Sequence, residues 1–435
     1  MKANRSVMMR CGVLWAVLLL LLAGISEAAK PAKSVKAATP KKPVRSAPKV
    51  TQPAPDPISI ICAVANTGVI IEDSHSGMKR PPASMVKLIQ MLLVSEGLEE
   101  GKWRLDTPIT VSAHAQGMGG TQVFLKEGEV WPLEHLMRGV AIASANDAAM
   151  AVAEGLWGNE AAYLEAANAR AQALGMKDSK FYSVHGLPPE KGQPFDQTTA
   201  RDMLTLSLHC AQIPMIMSLT GQKELTFRPG DSVKSNTNKL LWRMKDCDGL
   251  KTGYIRAAGF CVAATAQRNG IRLVCVVMGA GSNNGRFSLA EEVLERGFAA
   301  VEQRAVIARG TALVEALTVK QGIPADIKLV ASEDVILPVR KEDYPDLQVE
   351  LEYPQYLSAP LHAGQTVGQL RVMHKSKVLA QAPLSVSADV ALDGWRLSVE
   401  GGRAQWLGLD RKHEAAPAVA AEAETETEDG FEEGG

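Results

Sequence analysis

From Ile58 onward the apolar positions recur with the short period of β-structure, in two runs, Ile58 to Ala65 and Gly68 to Glu72, joined by Asn66-Thr67 as a hairpin. A second hairpin is written more sharply. Gly259 to Gln267 and Ile271 to Gly279 are apolar, β-branched runs joined by Arg268-Asn269-Gly270, and Asn-Gly suits a type I′ turn, which needs positive φ at both central residues. Between the hairpins the period is helical, over Pro132 to Trp157 and Glu160 to Leu174. After them Arg286 to Gln303 reads as a long amphipathic helix. The run MVKLIQMLLV from Met85 is apolar on nearly every side, which marks a helix buried through the middle of a domain, and Pro81-Pro82 mark its start. Strands at both ends of a segment and helices in its middle predict an α+β domain, one sheet assembled from distant parts of the chain with helices set against it.

From about Ala305 the pattern changes to short alternating runs punctuated by Gly and Pro: Asp326 to Ala331, Val335 to Val339, Leu347 to Leu351, Thr366 to Met373 and Lys377 to Ser385. This is a second, all-β domain. Before Ile58 there is no such pattern. Lys2, Arg5 and Arg10, the apolar run Val13 to Ala23 and the small residues Ser26 and Ala28 read as a secretory leader with its cleavage site, and the run is shorter than the roughly 20 residues of a membrane span. No Cys stands at the cleavage point, which argues against a lipoprotein. Residues 30–57 are rich in Lys, Pro, Ala and Ser and cannot bury a core. The expected division is a leader over 1–28, a linker over 29–57, the α+β domain over 58–304, the β-rich domain over 305–390 and a tail over 391–435, acidic and disordered from 414.

Across 435 residues, 47 basic side chains face 48 acidic ones, so no global field favours nucleic acid. Charge is segregated at the ends instead. Contact with anionic lipid or wall polymer is one use for the basic linker, and a solvated spacer is the simpler one. Of six cysteines Cys11 lies in the leader, and the odd remainder forbids full pairing. Cys62, Cys261 and Cys275 sit in strand-like runs as small buried hydrophobes, which leaves Cys210 and Cys247 as the pair a bridge could join. No Cys/His spacing resembles a zinc site, and neither metal nor organic cofactor is implied.

Three short segments carry candidate chemistry: Ser84-Met-Val-Lys87, Ser144-Ala-Asn146 and Lys251-Thr252-Gly253. A spacing of three on a helix puts the Lys87 amine beside the Ser84 hydroxyl, so Ser84 is a candidate nucleophile and Lys87 its base, provided that burial and a neighbouring cation such as Lys251 lower the lysine's pKa. Ser144 is placed to pass a proton to a leaving amine, and the Asn146 amide to bond a substrate backbone. Asp147 is assigned to helix capping. Lys251 and Thr252 suit a terminal carboxylate, Gly253 close approach of a substrate backbone to an edge strand, and the N–H groups of Ser84 and Tyr254 an oxyanion hole.

Each segment is common alone; the three in this order are the signature of active-site-serine enzymes that recognise penicillin. The chain resembles the low-molecular-weight penicillin-binding proteins, the serine-type D-alanyl-D-alanine carboxypeptidases, over roughly Ile58 to Ala305, in MGGTQVFLKEGE, SANDAAMAVAE, ALGMKDSKFYSVHGL, TTARDM, NTNKLLW and GLKTGYIRAAGFCVAA as well as in the motifs. SAPLHAGQTVGQLRV resembles the family's β-rich C-terminal domain. The resemblance implies a serine β-lactamase-like fold, a mixed sheet flanked by helices, followed by a small β-sandwich. It implies an exported enzyme of the periplasm or the outer face of the cytoplasmic membrane that removes the terminal D-alanine from peptidoglycan stem peptides through a Ser84 acyl-enzyme and takes β-lactams covalently. It carries over Ser84, Lys87, Ser144, Asn146 and Lys251, and adds Asn236 and Thr237 to the carboxylate site; His185 is the better read as a structural loop residue.

Many members end in an amphipathic helix that lies on the membrane. Here Trp395, Leu397, Trp406 and Leu409 are split by Gly394 and Gly401-Gly402, and acidic residues follow from Glu422, so peripheral membrane contact by that route is in doubt. Two rival readings keep the same site: an endopeptidase acting on cross-links, and an envelope protein that captures D-Ala-D-Ala ends without turnover. A class A β-lactamase needs a deacylating Glu, and Glu190 in PPEKGQPFD lacks the setting for it.

Overall fold

The structure is a computed structural model, and it describes residues 5–10 and 56–393. Five strands, β1 (Ser59–Val64), β2 (Ile70–Ser74), β3 (Cys247–Ile255), β4 (Gly259–Arg268) and β5 (Ile271–Ala280), form one sheet in the order β2-β1-β5-β4-β3. Both expected hairpins are present, and Asn269 (φ 51°) with Gly270 (φ 77°) supplies the two positive φ angles of the type I′ turn. The chain has the α+β fold. The mixed sheet expected within it is antiparallel throughout, because hairpins make three of its four pairings and β5 returns beside β1 in the opposite sense.

Alternate residues of the inner strands feed two cores. Ile61, Ala63, Val274, Val276 and Met278 face the helical side, whereas Cys62, Val64, Leu273, Cys275 and Val277 face α5 (Asn283–Ala300), which starts and ends slightly earlier than its sequence pattern suggested. With both faces covered, the strands need no polar alternation, which is why they read as unbroken apolar runs. The helical side is built around α1 (Lys87–Glu99), buried along most of its length, with α2 (Asn146–Trp157), α3 (Glu160–Ala173) and α4 (Ala200–Cys210) packed about it. The expected helix over Pro132 to Trp157 is broken in two. A helix Leu133–Arg138 runs into a π-helical turn, Gly139–Ala143, and the chain then reverses at Ser144 before α2 begins.

Strand Val301–Ile307 leads out of α5 and pairs with Val335–Arg340. Beyond it β6 (Ala312–Lys320), β7 (Asp326–Ala331), β8 (Leu347–Tyr353), β9 (Thr366–His374) and β10 (Lys377–Val386) form a second sheet in the order β8-β9-β10-β7-β6. Arg5–Arg10 lies antiparallel to β8 at its edge. The Val301–Ile307 ribbon covers this sheet through Ile307, Val335, Leu337 and Val339 against Leu347, Val349, Leu370 and Val372, which makes a sandwich. Val69, from the β1–β2 turn, joins that core, and Lys377 Nζ donates to the Gly68 carbonyl at 3.0 Å. The rest of the expected leader, nearly all of the linker and the tail beyond Asp393 lie outside the described residues.

Cys62, Cys210, Cys247, Cys261 and Cys275 are all buried free thiols. The Cys210 to Cys247 bridge is therefore absent: Cys210 closes α4 with its thiol on the Leu88 carbonyl, whereas Cys247 opens β3 with its thiol on Gly249. Close packing of α5 on the sheet depends on Gly297, where an added Cβ would lie 2.7 Å from Leu273 Cδ1 and 3.8 Å from Cys62 Sγ. A Gly297→Val variant is expected to lose about 1–3 kcal/mol of stability, the usual cost of overfilling a packed core. An unchanged urea-unfolding midpoint would refute that account.

Candidate active site

Ser84 lies on a single 3₁₀ turn, Ala83–Val86, and α1 starts at Lys87. The sequence placed Ser84 at the head of the α-helix; the tighter turn still carries Lys87 to the same side. Ala83 enters the turn at φ 49°, a left-handed conformation rare for a residue with a Cβ. Two glycines let neighbouring segments clamp the turn. A Cβ at Gly253 of β3 would stand 2.5 Å from the Pro82 carbonyl oxygen, and one at Gly186 would stand 2.1 Å from that of Ala83. Gly253 thus serves the approach of β3 to the Ser84 turn, rather than the approach of a ligand backbone inferred from sequence.

The Lys87 side chain has no exposed surface. Its Nζ has three oxygen partners: Asn146 Oδ1 at 2.7 Å, the His185 carbonyl at 2.9 Å and Ser84 Oγ at 3.3 Å. Burial lowers its pKa from 10.5 to about 7 against the opposing pull of the Asp196 and Asp147 carboxylates. A neutral amine has two N–H donors and one lone pair. The amide and carbonyl oxygens are acceptors only and take both N–H groups of the neutral amine; the Ser84 hydroxyl, which donates to the His185 carbonyl at 3.3 Å, lies equally near the remaining lone pair and can turn its proton to it.

Across the cleft, Lys251 Nζ donates to Ser144 Oγ at 2.8 Å and to the Thr252 carbonyl at 3.1 Å. Its pKa is also driven well down, first by burial and then by the cations Lys87 and Arg286. Ser144 sits at φ 60° after the π-helical turn, and this left-handed residue turns its hydroxyl toward Lys251. Thr252 Oγ1 donates to Thr237 Oγ1 at 2.8 Å, which places Thr237 beside the Lys251-Thr252 segment. Asn236 does not: its Nδ2 donates to the Thr220 and Gln222 carbonyls while its Oδ1 accepts from Asn238 N–H, and it is wholly buried. Arg286, unremarked in the sequence, donates from Nη1 to the Gly253 and Cys261 carbonyls at 3.0 Å each and ties α5 to β3 and β4. Tyr254 is half exposed and stacks on Phe260 with ring centroids 4.1 Å apart.

Other side chains have roles that differ from their expected ones. Both ends of the Asn146 amide are engaged inside the protein, Oδ1 by Lys87 and Nδ2 on the Gly119 carbonyl at 2.7 Å. Asp147 is more than a cap: its carboxylate accepts from Val123 N–H, Leu125 N–H and Ala148 N–H, bracing the loop before the π-helical turn. His185 acts through its backbone carbonyl. Its ring is held neutral, with the pKa pushed down to about 4 by burial and then by Lys87, and Nδ1 accepts from Leu187 N–H. Glu190 is exposed.

Asp196 carried no sequence signal. Its Oδ1 accepts from Tyr182 N–H at 2.6 Å and Ser183 N–H at 2.9 Å, its Oδ2 from the Ser183 hydroxyl at 2.7 Å, and Ser183 Oγ in turn accepts from Gly186 N–H at 2.8 Å. That network holds the loop that offers the His185 carbonyl to Lys87.

Comparison with known proteins gives a consistent set. The family described as D-alanyl-D-alanine carboxypeptidase matches residues 47–282, and the penicillin-binding protein 5 C-terminal domain matches residues 302–392. The D-alanyl-D-alanine carboxypeptidase DacF of Bacillus subtilis is 31% identical over 352 residues, 80% of this chain and 89% of that protein. Penicillin-binding protein 5 of Haemophilus influenzae superposes with a TM-score of 0.62 at 29% identity, covering 79% of this chain and 99% of that one. Penicillin-binding protein D2 of Listeria monocytogenes in its ampicillin-bound form superposes with a TM-score of 0.50 at 27% identity, over 55% of this chain and 96% of that one.

The Asp196 carboxylate stabilises the Lys87 ammonium, so its removal favours the neutral amine. Replacing Asp196 by Asn should shift the Lys87 titration, followed by NMR of ¹³C-labelled lysine, to a pH below its wild-type midpoint of about 7. A midpoint that rises or stays put would show that the carboxylate does not act on the amine.

Proposed function

The chain belongs to the D-alanyl-D-alanine carboxypeptidase family, and from that premise we propose that Ser84 is its acylating nucleophile, Lys87 the base, and the terminal D-alanyl-D-alanine of a peptidoglycan stem peptide its substrate. The observation that carries this reading is a half-buried Ser84 hydroxyl 3.3 Å from a fully buried lysine amine whose two other oxygen partners are acceptors only.

A serine hydroxyl needs a base that is neutral at working pH, and Lys87, with a pKa near 7, meets that need. Ser84 Oγ attacks the carbonyl carbon of the scissile bond as its proton passes to Lys87 Nζ. The oxyanion meets the N–H groups of Ser84 and Tyr254, and the substrate's terminal carboxylate meets the Thr252 and Thr237 hydroxyls beside the Lys251 amine. Collapse breaks the C–N bond, and the departing D-alanine amine takes a proton by way of Ser144, which lies between Lys251 and the cleft. Water then attacks the acyl-enzyme with Lys87 as base, the acyl group leaves as a carboxylate, and Ser84 recovers its proton. Asn146 has two tasks: its Oδ1 holds Lys87, and its Nδ2 can exchange the Gly119 carbonyl for a substrate carbonyl.

A β-lactam carries an amide, strained by its ring, and a carboxylate into this cleft in the arrangement of the substrate's own. Opening its ring leaves the amine tethered in the place where water would attack, so a covalent adduct is expected to persist. The leader expected over residues 1–28 would deliver the enzyme across the cytoplasmic membrane to the peptidoglycan. The exposed Glu190 lends no support to a deacylating glutamate of the β-lactamase kind.

Wild-type protein should be labelled by a fluorescent penicillin and release D-alanine from diacyl-Lys-D-Ala-D-Ala, and Ser84→Ala should abolish both. Label without D-alanine would replace the carboxypeptidase by a binding protein or an endopeptidase; loss of neither in the variant would remove Ser84 from the chemistry. The pH dependence has a definite sign as well. Lys87 is active as the free amine, so acylation should climb as pH rises through about 7 and then level off. A rate that falls over that interval would show that the ammonium is the working form.

A further inference from the structure

Phe124 is the most exposed large apolar side chain among the described residues, at 66%. Its backbone is not that of a loose loop tip. Phe124 stands at φ 58°, in the left-handed region that a bulky aromatic residue rarely enters. The chain on either side is locked. Val123 and Leu125 are buried, their N–H groups donate to the Asp147 carboxylate at 3.1 and 3.0 Å, and Arg228 donates to the carbonyls of Val123 at 2.7 Å and Phe124 at 3.1 Å. Strain maintained by this much bonding, only to hold an apolar ring in water, points to a use for the ring.

The loop that carries it is the one behind Asn146. Gly119 accepts from Asn146 Nδ2, Thr121 accepts from Asn146 N–H at 2.7 Å, and Phe124 follows Thr121 by at most about 10 Å of extended chain. The ring's neighbour is Lys234, whose Nζ lies 5.0 Å from the ring centroid and has no ion-pair partner among the described residues. Lys234 precedes Thr237, the partner of Thr252, by three residues. The pair is tied on one side to the loop that bonds Asn146 and on the other to the segment that carries Thr237, within a few residues of the groups around Lys87 and Thr252.

We propose that Phe124 and Lys234 form a specificity subsite for the acyl side of the stem peptide, accepting a side chain of several methylenes that ends in a carboxylate. The inference rests on the reading of Ser84 and its substrate given above. Methylenes pack across the ring, and the terminal carboxylate pairs with the unclaimed ammonium. A short side chain would reach neither group, and an uncharged one of equal length would use the ring alone.

The test compares three peptides that end in D-Ala-D-Ala and carry acetyl-aminopimelyl, acetyl-norleucyl or acetyl-alanyl residues before it, with D-alanine release giving kcat/KM. Wild type should prefer them in that order. Phe124→Ala should lower kcat/KM for the first two about 10-fold or more, as loss of an apolar contact does, with the alanyl peptide within about twofold. Phe124→Tyr, which keeps the ring, should retain wild-type values. Lys234→Gln should lower only the aminopimelyl peptide, by about three- to fivefold as for an exposed ion pair, and salt should mimic it. Equal losses on all three peptides, or no preference in wild type, would overturn the subsite while leaving the Ser84 mechanism intact. Activity that survives Ser84→Ala would overturn the mechanism on which the subsite rests.

Discussion

Holding the Lys87 amine in a site with no exposed surface moves its pKa from 10.5 to about 7, a change of about 5 kcal/mol in favour of the neutral form. Most of the site can be understood as the means of making that burial tolerable without making it complete. An isolated ammonium in such a place is prohibitive, and a neutral amine with unmet N–H groups is merely costly. Asn146 and the His185 carbonyl meet those N–H groups, and the carboxylates of Asp147 and Asp196 stop the pKa from falling further. The amine is left near neutrality within 3.3 Å of the Ser84 hydroxyl.

The packing around the Ser84 turn follows from the same requirement. The turn must be rigid enough to hold Oγ within reach of Nζ, yet its outer side must stay open. Pressure therefore comes from the two flanks, β3 through Gly253 and the His185 loop through Gly186, each without a Cβ where backbone meets backbone. Arg286 holds β3 from behind, and Asp196 holds the His185 loop from within. Behind both, a sheet buried on two faces and a helix buried along most of its length supply a frame that does not yield to local strain. Two of the left-handed non-glycine residues, Ala83 and Ser144, sit on the segments that carry Ser84 and face Lys251, where the frame can hold such strain.

Much of this was legible in the chain. The strand runs, the Asn-Gly turn, the apolar helix after Pro81-Pro82 and the alternating strands of the second sheet are local patterns, and each formed close to its expected span. Members of the three motifs do touch, Lys87 with Ser84 and Asn146, and Lys251 with Ser144, because Ser84–Lys87 is a close neighbour pair along one turn and Lys251-Thr252 lies on an edge strand. What was misread had a common cause. Asp147 resembled a cap and instead binds N–H groups more than twenty positions earlier in the chain; Asn236 resembled a ligand and is consumed by carbonyls across a turn; Pro132 to Trp157 kept a helical period through the point where the chain reverses.

By itself the sequence determined the kinds of element and singled out the candidate nucleophile, amines and hydroxyls, since these rest on periodicity and on side chains within a few residues of one another. The tertiary structure alone decided which acceptors Lys87 has, how far its pKa falls, why Gly186 and Gly253 carry no Cβ, and that Asp196 belongs to the site. A backbone carbonyl such as that of His185 is the same in every residue and has no signature in sequence, and desolvation depends on everything that surrounds a group. Both exist only once distant segments have closed around the amine.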